Sequence, residues 1–186
     1  MAIIFQYGSN LNSERLNSQQ RLRGEARYLG LVYTREPHAL GFTVWSEGNG
    51  CAAADLIPGG SQPAWGMLYE IPDALVRRDS AGQRPSMDSI ENEGVEYHRT
   101  RIAVCHPDGN PVDSTVLTWL ACDPRHDLKT EFHYVRHILT GLLTRQAPDN
   151  YLRRVRLSIL RNNPGLQPAV DTYINELSDT LKAKTA

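Results

Sequence analysis

The feature that most constrains this chain is a single change of hydrophobic period near Asp123-Pro124. Before it, apolar residues run in short blocks between turn clusters; after it, they recur at helical spacing, so strands and helices fall in separate parts of the chain. The first block, residues 2–7, reads as a strand that Gly8-Ser9-Asn10 breaks, and Asn12 or Ser13 can then cap a helix carrying Leu16 and Leu22. Strands are expected over residues 27–34, 38–45, 51–57 and 64–71, separated by turn signals in 46–50 and 58–61. Pro72 suits the first turn of a short helix at 73–78, followed by a loop at 79–85 and a helical turn at 86–91. A strand at 96–105 and a partner at 112–122 flank the turn residues 106–111.

Past the switch, Phe132, Val135, Ile138, Leu139 and Leu142 mark one helical face, and Tyr151, Leu152, Val155 and Leu160 another. Asn162-Asn163-Pro164-Gly165 interrupts, and a last helix is expected over 168–181 with a frayed polar tail. The resulting fold class is α+β: a curled mixed or antiparallel sheet forming a small barrel, flanked by helices, with a C-terminal helical segment. Residues 1–160 are expected to form the main domain and 161–186 a helical extension.

Charge limits the partners. Twenty basic against twenty-one acidic residues leave a net charge of −1, so no field of the whole molecule attracts a polyanion, and no nucleic-acid partner is expected. The cluster Arg153-Arg154-Val155-Arg156 reads as a solvated helix face or a salt-bridged surface. The longest apolar run, residues 1–5, is far short of the roughly 20 needed to cross a bilayer, so no membrane partner and a cytoplasmic location are expected. Cys51, Cys105 and Cys122 are widely spaced and read as reduced thiols. Six histidines form no ligand pattern; His133 and His137 share a helical spacing without a metal-binding context, so no metal and no cofactor are expected. The residues carry no signal for an oligomeric state.

Three segments carry chemistry. Tyr7-Gly8-Ser9-Asn10-Leu11 ends a strand with a glycine turn whose peptide N–H groups can face a carboxylate or phosphate. Asp88, Glu91, Glu93 and Glu96 crowd a helix end before a strand, where a buried carboxylate acquires a raised pKa and can take and return a proton near neutral pH. Tyr134 offers a phenol from a helix. Taken alone, each is better read as ordinary structure: a strand-to-helix turn, a solvated acidic loop and a half-buried tyrosine.

Together and in this order, they resemble the γ-glutamyl cyclotransferase-like family. Tyr7-Gly8-Ser9-Asn10-Leu11 is similar to its Y-G-S-N/D-L loop, Gly50-Cys51-Ala52-Ala53-Ala54-Asp55-Leu56 to a small-residue strand, and Ala64-Trp65-Gly66-Met67-Leu68-Tyr69 to its V-W-G-x-x-Y strand. Asp88, Glu91 and Tyr97 match an L-D-x-x-E-G…Y segment, Tyr134 a Y-x-x-I helix, and Ala147-Pro148-Asp149-Asn150-Tyr151 an L-P-x-x-Y segment, so the likeness covers about residues 5–157.

The resemblance implies an enzyme acting on a small γ-glutamyl compound, with one glutamate as general acid/base and release of 5-oxoproline. It implies substrate contacts from Tyr7, Gly8, Ser9, Asn10, Leu11, Tyr97 and Tyr134, with Tyr134 and Tyr97 orienting the glutamate. Glu91 keeps the family's three-residue distance from Asp88, whereas Glu93-Gly94-Val95 keeps its letters; spacing fixes where a side chain points, so Glu91 is the expected acid and Glu93 the alternative. Asn92 stands where the family has glycine, 79–85 lengthens the approach to the acid, and Thr130-Glu131 replace a Pro-Ser, departures that bear on substrate choice. The loops 46–50 and 79–85 are expected to shape the side that holds the leaving amine. Two other readings remain: a non-catalytic carboxylate-binding module of the same fold, and a cysteine hydrolase using Cys51 or Cys105 with His98.

Overall fold

The computed structural model describes residues 1–185. Strand β1 (Ala2–Gln6) is central: β5 (Trp65–Ile71) pairs with it antiparallel, Ile4 opposite Tyr69, and β8 (Val116–Ala121) pairs with it parallel, Ile3 opposite Val116. With β2 (Arg27–Thr34), β6 (Tyr97–Arg101) and β7 (Val104–Cys105), they form one six-stranded mixed sheet in the order β6-β8-β1-β5-β2-β7. The strands β6 and β7 lie at opposite edges, yet only Ile102 and Ala103 separate them in the chain. Three Cα steps reach at most about 11 Å, whereas the edges of a flat six-stranded sheet lie about 24 Å apart. The sheet must therefore curl until its edges meet. Ile102 N–H donates to Val116 O at 3.0 Å on one side, and Arg35 N–H donates to Ala103 O at 2.8 Å on the other. The expected single strand over 96–105 is thus two strands, because the chain changes edges at its midpoint.

The strands β3 (His38–Ser46) and β4 (Cys51–Pro58) pair only with each other, as a ribbon apart from the main sheet. Alanines at 52, 53 and 54 are buried, and their small side chains let neighbours reach the β4 backbone. The expected helix carrying Leu16 and Leu22 is short: α1 spans Ser13–Leu16, capped by Asn12, whose Oδ1 accepts from Glu14 and Arg15 N–H. It stops because Asn17 turns outward to clamp Ala26, accepting from its N–H at 2.9 Å and donating to its carbonyl at 3.0 Å. Arg23 and Gly24 then take positive φ, 53° and 87°. Likewise, the helix expected at 73–78 is a 3-10 turn, Asp73–Leu75.

The short helix α2 (Met87–Ile90) precedes β6, and α3 (Phe132–Thr144), α4 (Asp149–Arg161) and α5 (Gln167–Thr185) complete the chain. Helix α5 packs on α3 through an edge-on Phe132–Tyr173 contact at 5.7 Å and a Thr140–Tyr173 hydroxyl pair at 2.7 Å. The tail expected to fray is helical to Thr185; Ala186 lies outside the described residues. The arginine cluster on α4 is dispersed, with Arg156 paired to Asp171 and Arg154 donating to Pro63 O. Among the described residues, no helix is long and apolar enough to cross a membrane.

Candidate active site

Strand β1 delivers its end into a 3-10 turn, Ser9–Leu11. Gly8 is needed there for close approach: a Cβ would sit 3.3 Å from the Ala54 Cβ and 3.4 Å from the Tyr134 hydroxyl. The turn closes when Leu11 N–H donates to Gly8 O at 3.0 Å. The N–H groups of Gly8, Ser9 and Asn10 have no partner among the described residues, so they remain available to a ligand. Leu11 itself is buried against α3, its N–H is engaged, and it does not border the cleft, contrary to the expected substrate contact.

The amide of Asn10 joins the turn to the acid. Its Nδ2 donates to Gln6 Oε1 at 2.9 Å and to Glu91 Oε1 at 2.7 Å, while its Oδ1 accepts from Arg21 Nη1 at 2.8 Å. Arginine can only donate and a carboxylate only accept, so a single amide orientation satisfies all three partners.

Glu91 ends α2, whose start is fixed by a capping box between Ser86 and Ser89. Asn92 follows at φ 48° and Gly94 at φ 85°, the left-handed region where asparagine is the best tolerated substitute for glycine. The exchange of the family's glycine for Asn92 therefore preserves the backbone path. Although the Glu91 residue keeps some exposure at its rim, desolvation dominates its carboxyl and pushes the pKa up to about 7, against the opposing pull of Arg21. Glu93 does not border the cleft; its N–H donates to Asp88 O at 2.8 Å.

Asp88 anchors α2 from below, accepting from Arg99 Nη1 and, at 3.1 Å, from Trp119 Nε1. Asp88→Asn keeps the Trp119 acceptor but weakens the Arg99 contact. We expect a loss of about 1–2 kcal/mol in chemical denaturation and roughly a tenfold drop in turnover as α2 loosens beneath Glu91.

The tyrosines serve differently from expectation. Tyr134 Oη accepts from Ala54 N–H at 2.9 Å and Tyr97 Oη donates to Ala54 O at 2.8 Å, so both hold the β4 peptide and neither is bonded to Glu91. Tyr7 Oη donates to Trp119 O. Burial raises the pKa of all three, keeping them protonated, and the Tyr134 hydroxyl also interacts with the Ser9 side chain of the turn.

Tyr7, Gly8, Ser9, Asn10, Glu91, Tyr97 and Tyr134 thus border one narrow cleft, partly open to solvent. Arg21, which sequence reasoning missed, also borders it, as do Gln6, Asn49 and Glu96. Of the two loops expected at the leaving side, 46–50 contributes Ser46 and Asn49, whereas 79–85 stays away, with Arg84 paired to Glu25. Burial pushes the Cys51 thiol up, away from a thiolate nucleophile, and Cys122 is exposed. His137 lies against Asn12 and Arg15, where burial and nearby arginines push it down to about 4, so it is neutral at pH 7.

The family model for Gamma-glutamyl cyclotransferase, AIG2-like, matches residues 4–136. No curated protein matches the chain significantly. A solved structure named Gamma-glutamyl cyclotransferase is 16% identical with a TM-score of 0.68, covering 83% of this chain and 86% of its own. The Homo sapiens protein loc79017 is 17% identical with the same TM-score, 0.68, and the same coverage, 83% and 86%. YkqA from Bacillus subtilis is 19% identical with a TM-score of 0.64, over 84% of this chain and 54% of its own. At such identities the likeness is one of fold.

Proposed function

Because the chain belongs to the gamma-glutamyl cyclotransferase, AIG2-like family, we propose that it closes the glutamyl part of a γ-glutamyl compound into 5-oxoproline and releases the attached amine. The observation that carries this reading is the Asn10–Glu91 hydrogen bond of 2.7 Å, which ties the glycine turn to a carboxyl whose pKa is pushed up to about 7. Such a group exchanges protons efficiently near neutral pH.

The reaction needs no external nucleophile. Glu91 as carboxylate takes a proton from the substrate α-ammonium, and the freed amine attacks the γ-carbonyl carbon. The oxyanion that develops meets the N–H groups of Gly8–Asn10 and the Tyr134 hydroxyl, where each preorganised donor is worth on the order of 3 kcal/mol. Glu91 then protonates the departing nitrogen, the C–N bond breaks, and the lactam forms. The second proton of the ring nitrogen follows the same route through Glu91 to the released amine, leaving the carboxylate as it began. Holding attacking nitrogen and carbonyl together supplies much of the acceleration.

Incubation with γ-glutamyl dipeptides and γ-glutamyl amines should yield 5-oxoproline and free amine in equal amounts, detected by mass spectrometry. Binding without any 5-oxoproline would assign the cleft to a non-catalytic carboxylate-binding protein instead.

A further inference from the structure

Arg21 stands over the cleft because α1 stops short. Had the helix continued past Leu16, residue 21 would have followed its axis; instead, the Asn17 clamp on Ala26 and the left-handed Arg23-Gly24 pair fold the segment back. Leu22 is buried as the anchor of this turn, its N–H donating to Leu16 O at 3.0 Å. The neighbouring Arg21 side chain is half-buried and borders the cleft.

Of its five guanidinium donors, one is used, Nη1 to Asn10 Oδ1 at 2.8 Å, and Arg21 has no ion pair among the described residues. Of the other sheltered arginines, Arg99 pairs with Asp88 and Arg156 with Asp171, whereas Arg15 donates to Asn49 Oδ1 at 2.9 Å, keeps a buried Nε without a partner and, unlike Arg21, does not itself border the cleft. An uncompensated guanidinium withdrawn from water favours an anion, ideally one matching its fork.

We infer that Arg21 grips the α-carboxylate of the glutamyl head and so restricts the enzyme to substrates that carry this group. The inference rests on the γ-glutamyl reading above and deepens it. One amide, that of Asn10, separates Arg21 from Glu91. In an α-amino acid head, carboxylate and amine share one carbon, so a carboxylate on Arg21 directs the α-nitrogen to Glu91. The turn amides are then left for the oxyanion, giving the two substrate anions separate donors. Pairing also removes the pull that Arg21 exerts on Glu91, so a bound substrate strengthens its own base.

The test compares a γ-glutamyl dipeptide with its α-carboxamide analogue, each variant being read on the high-pH plateau of its own kcat/KM profile, because losing Arg21 removes a pull that lowers the Glu91 pKa. Wild-type kcat/KM should favour the carboxylate about 100-fold, the scale of a charge-assisted bidentate pair. Arg21→Gln should reduce that ratio below about fivefold, and Arg21→Lys, which keeps the charge without the fork, should fall between. An unchanged ratio in Arg21→Gln, or a collapse confined to substrates that differ by a carboxylate on the released amine, overturns the inference while leaving the cyclisation reading intact. Calorimetry on Glu91→Gln and Glu91→Gln/Arg21→Gln proteins reads the same discrimination in binding. A chain that binds without turning over therefore still tests the role of Arg21, and absence of both binding and turnover overturns the two readings together.

Discussion

Replacing Glu91 with glutamine is expected to lower turnover by about 10³-fold or more, the scale set by removing a general acid/base that acts in successive proton transfers. The fold should survive, since glutamine keeps an Oε1 that can accept from Asn10 Nδ2, the partner Glu91 has at 2.7 Å. Glu93→Gln, outside the cleft, should stay within about twofold of wild type; full activity in Glu91→Gln with loss in Glu93→Gln would transfer the role.

The same substitution has a signature in stability. Glu91 carries its proton up to about 7 in the folded chain against 4.5 for the free side chain, so between those values the folded state binds more protons than the unfolded one. Stability from this group therefore falls as pH rises through that window, by at most about 3 kcal/mol and less where the rim is solvated. Glutamine abolishes the penalty. Glu91→Gln should match wild type near pH 4 and exceed its unfolding free energy by about 1–3 kcal/mol at pH 8. Wild-type kcat/KM should rise with pH through about 7 as Glu91 ionises. Denaturant titrations at both pH values supply the check; a variant less stable than wild type at pH 8 would mean that the carboxylate is stabilised where it lies.

Local pattern records which residues face the core, and little about which distant groups they meet. Alternation and turn residues delimit β2 at Arg27–Thr34, residue for residue as expected, because its identity depends on its own side chains. The division of 96–105 into β6 and β7 was hidden, since both halves alternate alike and only the closure of the sheet distinguishes their partners. Spacing from Asp88 was enough to direct Glu91, and not Glu93, towards the cleft, because both acids follow one short helix. Tyr134 was legible as a half-buried phenol and is in fact buried, and the bonds of both tyrosines to Ala54 depend on a ribbon 43 residues from Tyr97 and 80 from Tyr134. Arg21 was illegible for a similar reason: the contact that ends α1, Asn17 with Ala26, spans nine residues and leaves no periodic trace.

Gly141→Ala should cost about 2 kcal/mol of stability and about 100-fold in turnover, although the position lies inside a helix, where alanine normally gains about 1 kcal/mol over glycine. A Cβ built at Gly141 of α3 meets Leu11 C, Cβ and O, each at 2.5 Å. Two of those atoms are backbone, so no rotamer change relieves the contact. Helix α3 is held from behind by α5, through Phe132, Thr140 and Tyr173, and its own Leu139 and Leu142 are buried. The element with least support is the single 3-10 turn, Ser9–Leu11, so the turn yields and carries Asn10 away from Glu91. Stability and turnover should therefore fall together. Gly165→Ala, where a Cβ would meet nothing within 4 Å, should leave both unchanged and serves as the control. A Gly141→Ala protein that melts higher than wild type with undiminished kcat would show that the turn accommodates the methyl group, and that the close packing of α3 on the glycine turn does not hold Asn10 against the acid.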